Sequence, residues 1–242
     1  LFNPGQVFAC LGFVEAAEIL LGNAEGGFDW SDEANTRFHL RAAGDDNPVE
    51  AVLRFLAEAE VKAIAPHGSE NRTEKWKVTT IPLKQGVKFW AGSGGYPGAA
   101  LTVDALKLVR DRIGEAIGDP FALSAPQSSS FRFDWRRDYV PLDAGFSPND
   151  HGNVGMMGFP LVELLAAIGL SHARPLRLKK LDYRYGVIGG SKQTLLDSVF
   201  LRAALGCSTL PFQQRIFRMH LGWPGQENQA RCILDITEEP NP

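Results

Sequence analysis

Cysteine is scarce in this chain, net positive charge is missing, and the longest apolar stretch is broken by carboxylates. Each shortage removes a class of protein. The three cysteines, Cys10, Cys207 and Cys232, are odd in number and far apart. A disulfide framework is not expected from such a set; free, buried thiols in a reducing, cytoplasmic compartment are. The formal net charge of −3 gives no global cationic field to draw nucleic acid or an anionic membrane. Any such binding has to come from a local patch. The longest apolar stretch, 7–21, is interrupted by Glu15 and Glu18. It reads as too short and too charged to cross a membrane, and it lacks the positive flank and cleavage site of a signal peptide. The chain opens on Leu1 rather than methionine, which leaves the native start open.

What is present is ordinary globular material. With 242 residues, 44% of them hydrophobic, the chain can bury a large core without a staple. Twenty-five glycines and fifteen prolines point to short elements separated by many turns. Asn3-Pro4-Gly5 opens a helix with a polar stripe that closes at Gly22. Residues 26–41 alternate in part and predict a β-hairpin turning at 31–36. Asp45-Asp46-Asn47-Pro48 opens a second helix, with a capping side chain and proline at the first helical position. Strands are expected at 76–83 and 87–90, a Gly-rich loop at 92–98 and an amphipathic helix over 102–113. Residues 120–130, rich in Pro, Ser and Gln, read as a linker between halves 1–119 and 131–242. Beyond it the pattern predicts a strand at 131–135, a short apolar helix over 160–170, a strand over 175–187 and a helix over 192–205. Two antiparallel strands, 213–223 and 230–237, close the chain. The expected class is α+β, with mixed or antiparallel sheets and packed helices. Leu11-Gly12-Phe13 and Ile168-Gly169-Leu170 sit alike in two proline-led helices, through duplication or chance.

Reaction chemistry is poorly represented. His39, His67, His151, His172 and His220 form no pair at helical spacing and none lies near a cysteine with ligand spacing. No serine has a nucleophile elbow around it, and Cys10 lies in an apolar helix. Glu238-Glu239 reads as a solvated tail. No catalytic residue, metal site or cofactor is expected. The Gly-rich loop, with Gly92, Gly94 and Gly95, either cradles phosphate at a helix start or is a plain turn. It lacks the Lys-Ser/Thr ending of a nucleotide-hydrolysing loop.

Basic residues gather in three places against the acidic total. Arg132, Arg136 and Arg137 are interleaved with Phe131, Phe133, Trp135 and Tyr139. Arg174, Arg177, Lys179, Lys180 and Arg184 lie beside Tyr183 and Tyr185. Arg215 and Arg218 flank Phe217. Cations among aromatics suit a single strand, whose phosphates are paired while its bases stack. The competing reading is an exposed strand face with its aromatics in the core. The first two clusters leave both open; the third favours the strand face.

The opening, Phe2-Asn3-Pro4-Gly5-Gln6-Val7-Phe8-Ala9-Cys10-Leu11-Gly12-Phe13-Val14-Glu15-Ala16-Ala17, resembles the start of a CRISPR-associated family of the type I-G systems, formerly called I-U. Three later segments share the resemblance: Lys88-Phe89-Trp90-Ala91-Gly92; Phe133-Asp134-Trp135-Arg136-Arg137-Asp138 with Leu142-Asp143-Ala144-Gly145-Phe146-Ser147; and Phe159-Pro160-Leu161-Val162-Glu163-Leu164-Leu165-Ala166-Ala167-Ile168-Gly169-Leu170. The resemblance implies a subunit of the crRNA-guided surveillance complex, Cascade, in a large-subunit role. Its partners would be the backbone and end-capping subunits, crRNA and target DNA, with a helicase-nuclease recruited in trans for cleavage. The chain is short and mildly acidic for a large subunit, which keeps a protein-bridging role in the same complex in play. A metal-dependent nuclease using His67, Asp150 and His151 is the contrasting expectation.

Overall fold

The computed structural model describes residues 1–63, 80–83, 98–127, 130–139, 155–190, 194–223 and 231–240. In chain order these form α1 (Pro4–Leu21), β1 (Glu25–Asp29), β2 (Arg37–Arg41), α2 (Pro48–Glu58), β3 (Glu60–Ala63), β4 (Thr80–Leu83), α3 (Gly98–Val109) and α4 (Ile113–Ala116). Then come β5 (Ala125–Pro126), β6 (Met157–Gly158), α5 (Pro160–His172), β7 (Leu176–Lys179), β8 (Asp182–Gly190), β9 (Leu196–Asp197), α6 (Ser198–Leu205), β10 (Gln214–Gly222) and β11 (Cys232–Glu239). A seven-stranded sheet runs β11-β10-β8-β1-β2, with β7 beside β8 and β9 beside β1. β1 and β8 are parallel at Phe28↔Gly189, while the other pairings in this sheet are antiparallel. The class is therefore α+β with a mixed sheet, as the sequence pattern predicts.

Local chemistry explains where the elements begin. The Asn3 side chain accepts from the Gln6 amide at 3.4 Å and Pro4 fills the first helical position, so α1 starts there. Asn47 accepts from the Glu50 amide at 3.3 Å and does the same for α2. Gly22, at φ 75°, ends α1 in a left-handed turn closed to the Glu18 carbonyl. The β1–β2 hairpin forms over the expected stretch, with Phe28 facing Phe38 in register and their rings 4.8 Å apart.

The expected polar stripe on α1 is reduced to its ends: from Val7 to Ala17 the helix is buried on every side, Glu15 included, with Gln6 half-buried and Glu18 exposed. By length and composition it could cross a membrane, which corrects the expectation above, yet 72% of it is buried inside the fold. Its neighbour is α5, and the two cross at glycines. A Cβ on Gly12 would lie 1.9 Å from the Leu165 carbonyl oxygen, and one on Gly169 would lie 2.4 Å from that of Phe8. The two look-alike tripeptides are thus the crossing point of one helix pair. α5 runs on past the expected end at Gly169 to His172.

Two expectations are corrected here. Residues 120–130 do not separate two cores. Leu123, Ala125 and Gln127 are buried, β5 pairs with β6, and one hydrophobic cluster draws on Phe8 and Leu53 from one side and Phe133, Leu165 and Tyr185 from the other. Residues 131–134 are not a strand either. The Phe131 and Phe133 amides both donate to the Glu163 carboxylate, the second at 3.0 Å. Arg132 between them is left-handed at φ 64°, and the two rings stack 5.0 Å apart. One carboxylate satisfies the donors that a neighbouring strand would have taken.

The glycine crossing makes opposite predictions for two Gly→Ala changes. Gly12→Ala is expected to cost about 3 kcal/mol or more, because its methyl meets backbone that cannot move aside. Gly114→Ala in α4, where a Cβ meets nothing within 4 Å, is expected to be neutral or to stabilise by up to about 1 kcal/mol. Urea melts of the two variants check both signs.

Candidate nucleic-acid interface

The first basic cluster is tied into the fold, with Arg137 buried, Arg132 half-buried and Arg136 exposed. Arg136 grips the buried Asp134 carboxylate through Nη2 at 2.6 Å, donates to the Phe121 carbonyl at 2.9 Å and lies 3.6 Å from the Phe159 ring centroid. Asp134 also accepts from Asn3 Nδ2 at 2.8 Å, so this knot ties the α1 cap to the start of α5. Arg137 is 4% exposed and donates to the Gln127 backbone carbonyl at 2.7 Å. Burial pulls its guanidinium below its ordinary value, with the Glu163 charge opposing. Arg132 is half-buried with its guanidinium 5.3 Å from the Tyr139 ring centroid. Arg137 is thus spent inside the fold, while Arg136 is tied to Asp134 and Phe121 but stays exposed.

The second and third clusters meet on one face, a junction the sequence did not reveal. β7 and β8 are a hairpin rather than the single expected strand, and every residue of β7 is exposed. β7 is an edge strand among the described residues, carrying Arg177 and Lys179, with Arg174 before it and Lys180 at its turn. β8 lies between β7 and β10, so Arg184 stands opposite Arg218 and Asp182 opposite His220. Arg218 donates to Asp182 through Nε at 2.9 Å, Lys179 Nζ lies 3.6 Å away, and His220 Nδ1 lies 3.4 Å away. Arg184 Nε pairs with Glu239 at 2.6 Å. Lys179, Arg184 and Arg218 thus share a face with Asp182, Asp235 and Glu239, while Arg177, in register with Tyr183, lies on the other side of the sheet and joins Lys180 along the exposed edge.

Two like-charged arginines directly across a strand pair would repel. Asp182 and Glu239 offset that repulsion and hold each guanidinium in place. The hydrogen bond from Arg218 holds Asp182 below its ordinary carboxyl value of 3.8 against desolvation, with the charges of His220, Arg218 and Lys179 adding to it. Arg215 lies elsewhere: it pairs with Glu238 at 2.6 Å and sits 5.7 Å from the Trp30 ring centroid. Glu238 and Glu239 are therefore sheet ion pairs and not a solvated tail. The signal for Arg218 and Asp182 was the alternation of charge along 182–184 and 218–220, legible only once the two strands are known to be neighbours.

The other candidate chemistry is quiet. Cys10, Cys207 and Cys232 are free. Burial pushes the Cys10 thiol far up and the Cys207 thiol up to about 11, which leaves both protonated and unreactive. Among the described residues no group of three His, Cys, Asp or Glu side chains is placed to hold a metal. Gly92, Gly94 and Gly95, and His67, Asp150 and His151, lie outside the described residues. No protein-family model, curated protein or solved structure matches this chain.

Two predictions separate the inward arginines from the outward ones. Arg137→Ala is expected to cost about 2–3 kcal/mol, because it empties a buried site and strips the Gln127 carbonyl of its donor. Arg177→Ala and Lys180→Ala, both exposed, should stay within about 0.5 kcal/mol of the parent. For Asp182 the sign follows from its lowered value: its contribution is full above 3.8 and is lost as pH falls through the folded-state value. Asp182→Asn should therefore be less stable than the parent at neutral pH, with the gap narrowing below about pH 4 in acid-titrated melts.

Proposed function

We propose that this chain is a non-catalytic, cytoplasmic subunit of a crRNA-guided type I-G surveillance complex. In this reading it contacts neighbouring backbone and end-capping subunits, crRNA and target DNA, and helps hold the opened strand beside its flanking motif. Cleavage falls to a helicase-nuclease recruited in trans. The observation that carries the nucleic-acid part is the exposed, cation-rich β7–β8 edge with Arg218 behind it, on a chain whose total charge is negative. A local positive surface on an acidic body confines polyanion binding to one side and leaves the rest for protein neighbours. The sequence resemblance supplies the complex.

A protein-bridging scaffold in the same assembly is the second reading. It is favoured by the exposed apolar side chains Leu176, Leu178, Val199 and Leu234.

Titration of the full chain with single-stranded RNA of mixed sequence, between about 50 and 200 mM salt, distinguishes the two. The nucleic-acid reading expects Arg177→Glu/Lys179→Glu/Lys180→Glu to weaken binding by tenfold or more. The slope of log affinity against log salt should also become shallower by about 2, because each phosphate that a cation neutralises on a single strand contributes roughly 0.7 to it. Equal binding by parent and variant at every salt sinks that interaction and leaves the scaffold.

A further inference from the structure

We infer that the β7–β8–β10 face grips a phosphodiester backbone without reading its bases; this rests on the nucleic-acid reading above. Base recognition on a strand surface needs rings standing outward on which bases can stack. Here the aromatic residues of these strands face the other way. Tyr185 is closed against Phe8 at 5.8 Å and stacks on Phe217 at 5.3 Å, and Tyr183 is buried as well. Alternation along β8 and β10 forces this division. The residues that put Tyr183, Tyr185 and Phe217 inside are the same ones that put Asp182, Arg184 and Arg218 outside.

The cations also have the wrong chemistry for base edges. Arg218 and Arg184 each have a carboxylate on their guanidinium, at Asp182 and Glu239. Arg218 spends Nε and Nη2 together on Asp182, so the two-pronged edge it would offer a guanine is occupied, while Arg184 meets Glu239 through Nε alone. What remains outward is charge: the rest of each guanidinium, and the flexible tips of Lys179 and Lys180. Such groups pair with phosphate oxygens of any sequence.

Addition of a partner's strand to β7 is the main alternative use of this edge. The strand is four residues long, its register shifts between Arg177 and Lys179, and lysine stands at its end. These are the features by which sheet edges resist a further strand. Leu176 precedes that register shift and Leu178 lies within it, so the two, 42% and 40% exposed, present no continuous apolar row.

Three fluorescent oligonucleotides of equal length test the inference on the full chain at one low salt concentration: an all-uridine strand, an all-adenosine strand and an abasic phosphodiester strand. The expected result is binding of all three within about threefold, since one stacked base would already change affinity by about fivefold. Lys179→Glu/Lys180→Glu should weaken all three by the same factor, with an unchanged thermal melt showing that the variant is folded. Abasic binding weaker than the others by tenfold or more overturns backbone-only recognition and leaves the nucleic-acid role standing. Binding of none of the three overturns both.

Discussion

The contact between α1 and α5 at Gly12 and Gly169 is the constraint on which the remaining packing depends. Two helices with no side chain at their crossing come close enough for each backbone to touch the other. That proximity places α1 within reach of everything α5 carries. Near the start of α5, Glu163 takes the amides of Phe131 and Phe133, and Phe133 closes on Phe8. Near the end of α1, Glu15, 1% exposed, receives Arg202 of α6 through Nε at 2.6 Å and lies 3.1 Å from His172 Nδ1. A buried carboxylate near each end of the pair thus recruits a different part of the chain: an irregular segment in one case and a helix in the other. Each is compensated by charge-assisted donors, the condition under which a buried carboxylate is tolerable.

This arrangement explains which parts of the fold were legible in the sequence. Asn3-Pro4 and Asn47-Pro48 are local devices: the capping side chain and the proline act within one turn, so the helix starts could be read directly. The hairpin 26–41 and the closing strands were legible for the same reason, since alternation and turn residues are near neighbours. What failed was long-range. Phe131-Arg132-Phe133 alternates like a strand, and nothing nearby says that its hydrogen-bond partner is a glutamate some thirty residues on. Glu15 looks like solvent-facing polarity because its partner Arg202 lies far along the chain.

The candidate site shows the same division. The basic character of 174–184 was visible, and so was the choice between aromatics outside, among the cations, and aromatics inside. Only tertiary structure decides it. In 131–139 it buries Arg137 against Gln127 and ties the exposed Arg136 to Asp134, whereas in the β7–β8 hairpin it sends the tyrosines inward and leaves the cations out. Two clusters of similar composition end with opposite roles because one follows a left-handed kink over a buried carboxylate and the other follows the edge of a sheet. Charge counts along a sequence do not carry that distinction.

The carboxylates inside the basic face bear on timing as well as strength. A guanidinium already leaning on Asp182 or Glu239 is pre-positioned, so a phosphate meets a group that has little rotational freedom left to lose. The same carboxylate competes for the cation, so each contact is shallow and reverses quickly. A surface built this way arrests a strand only when several such contacts, or several subunits, act together and raise the effective concentration of the next one. On the proposed reading such a surface alone would let a strand slide, and the sheet's internal ion pairs would make residence time a property of the surrounding assembly.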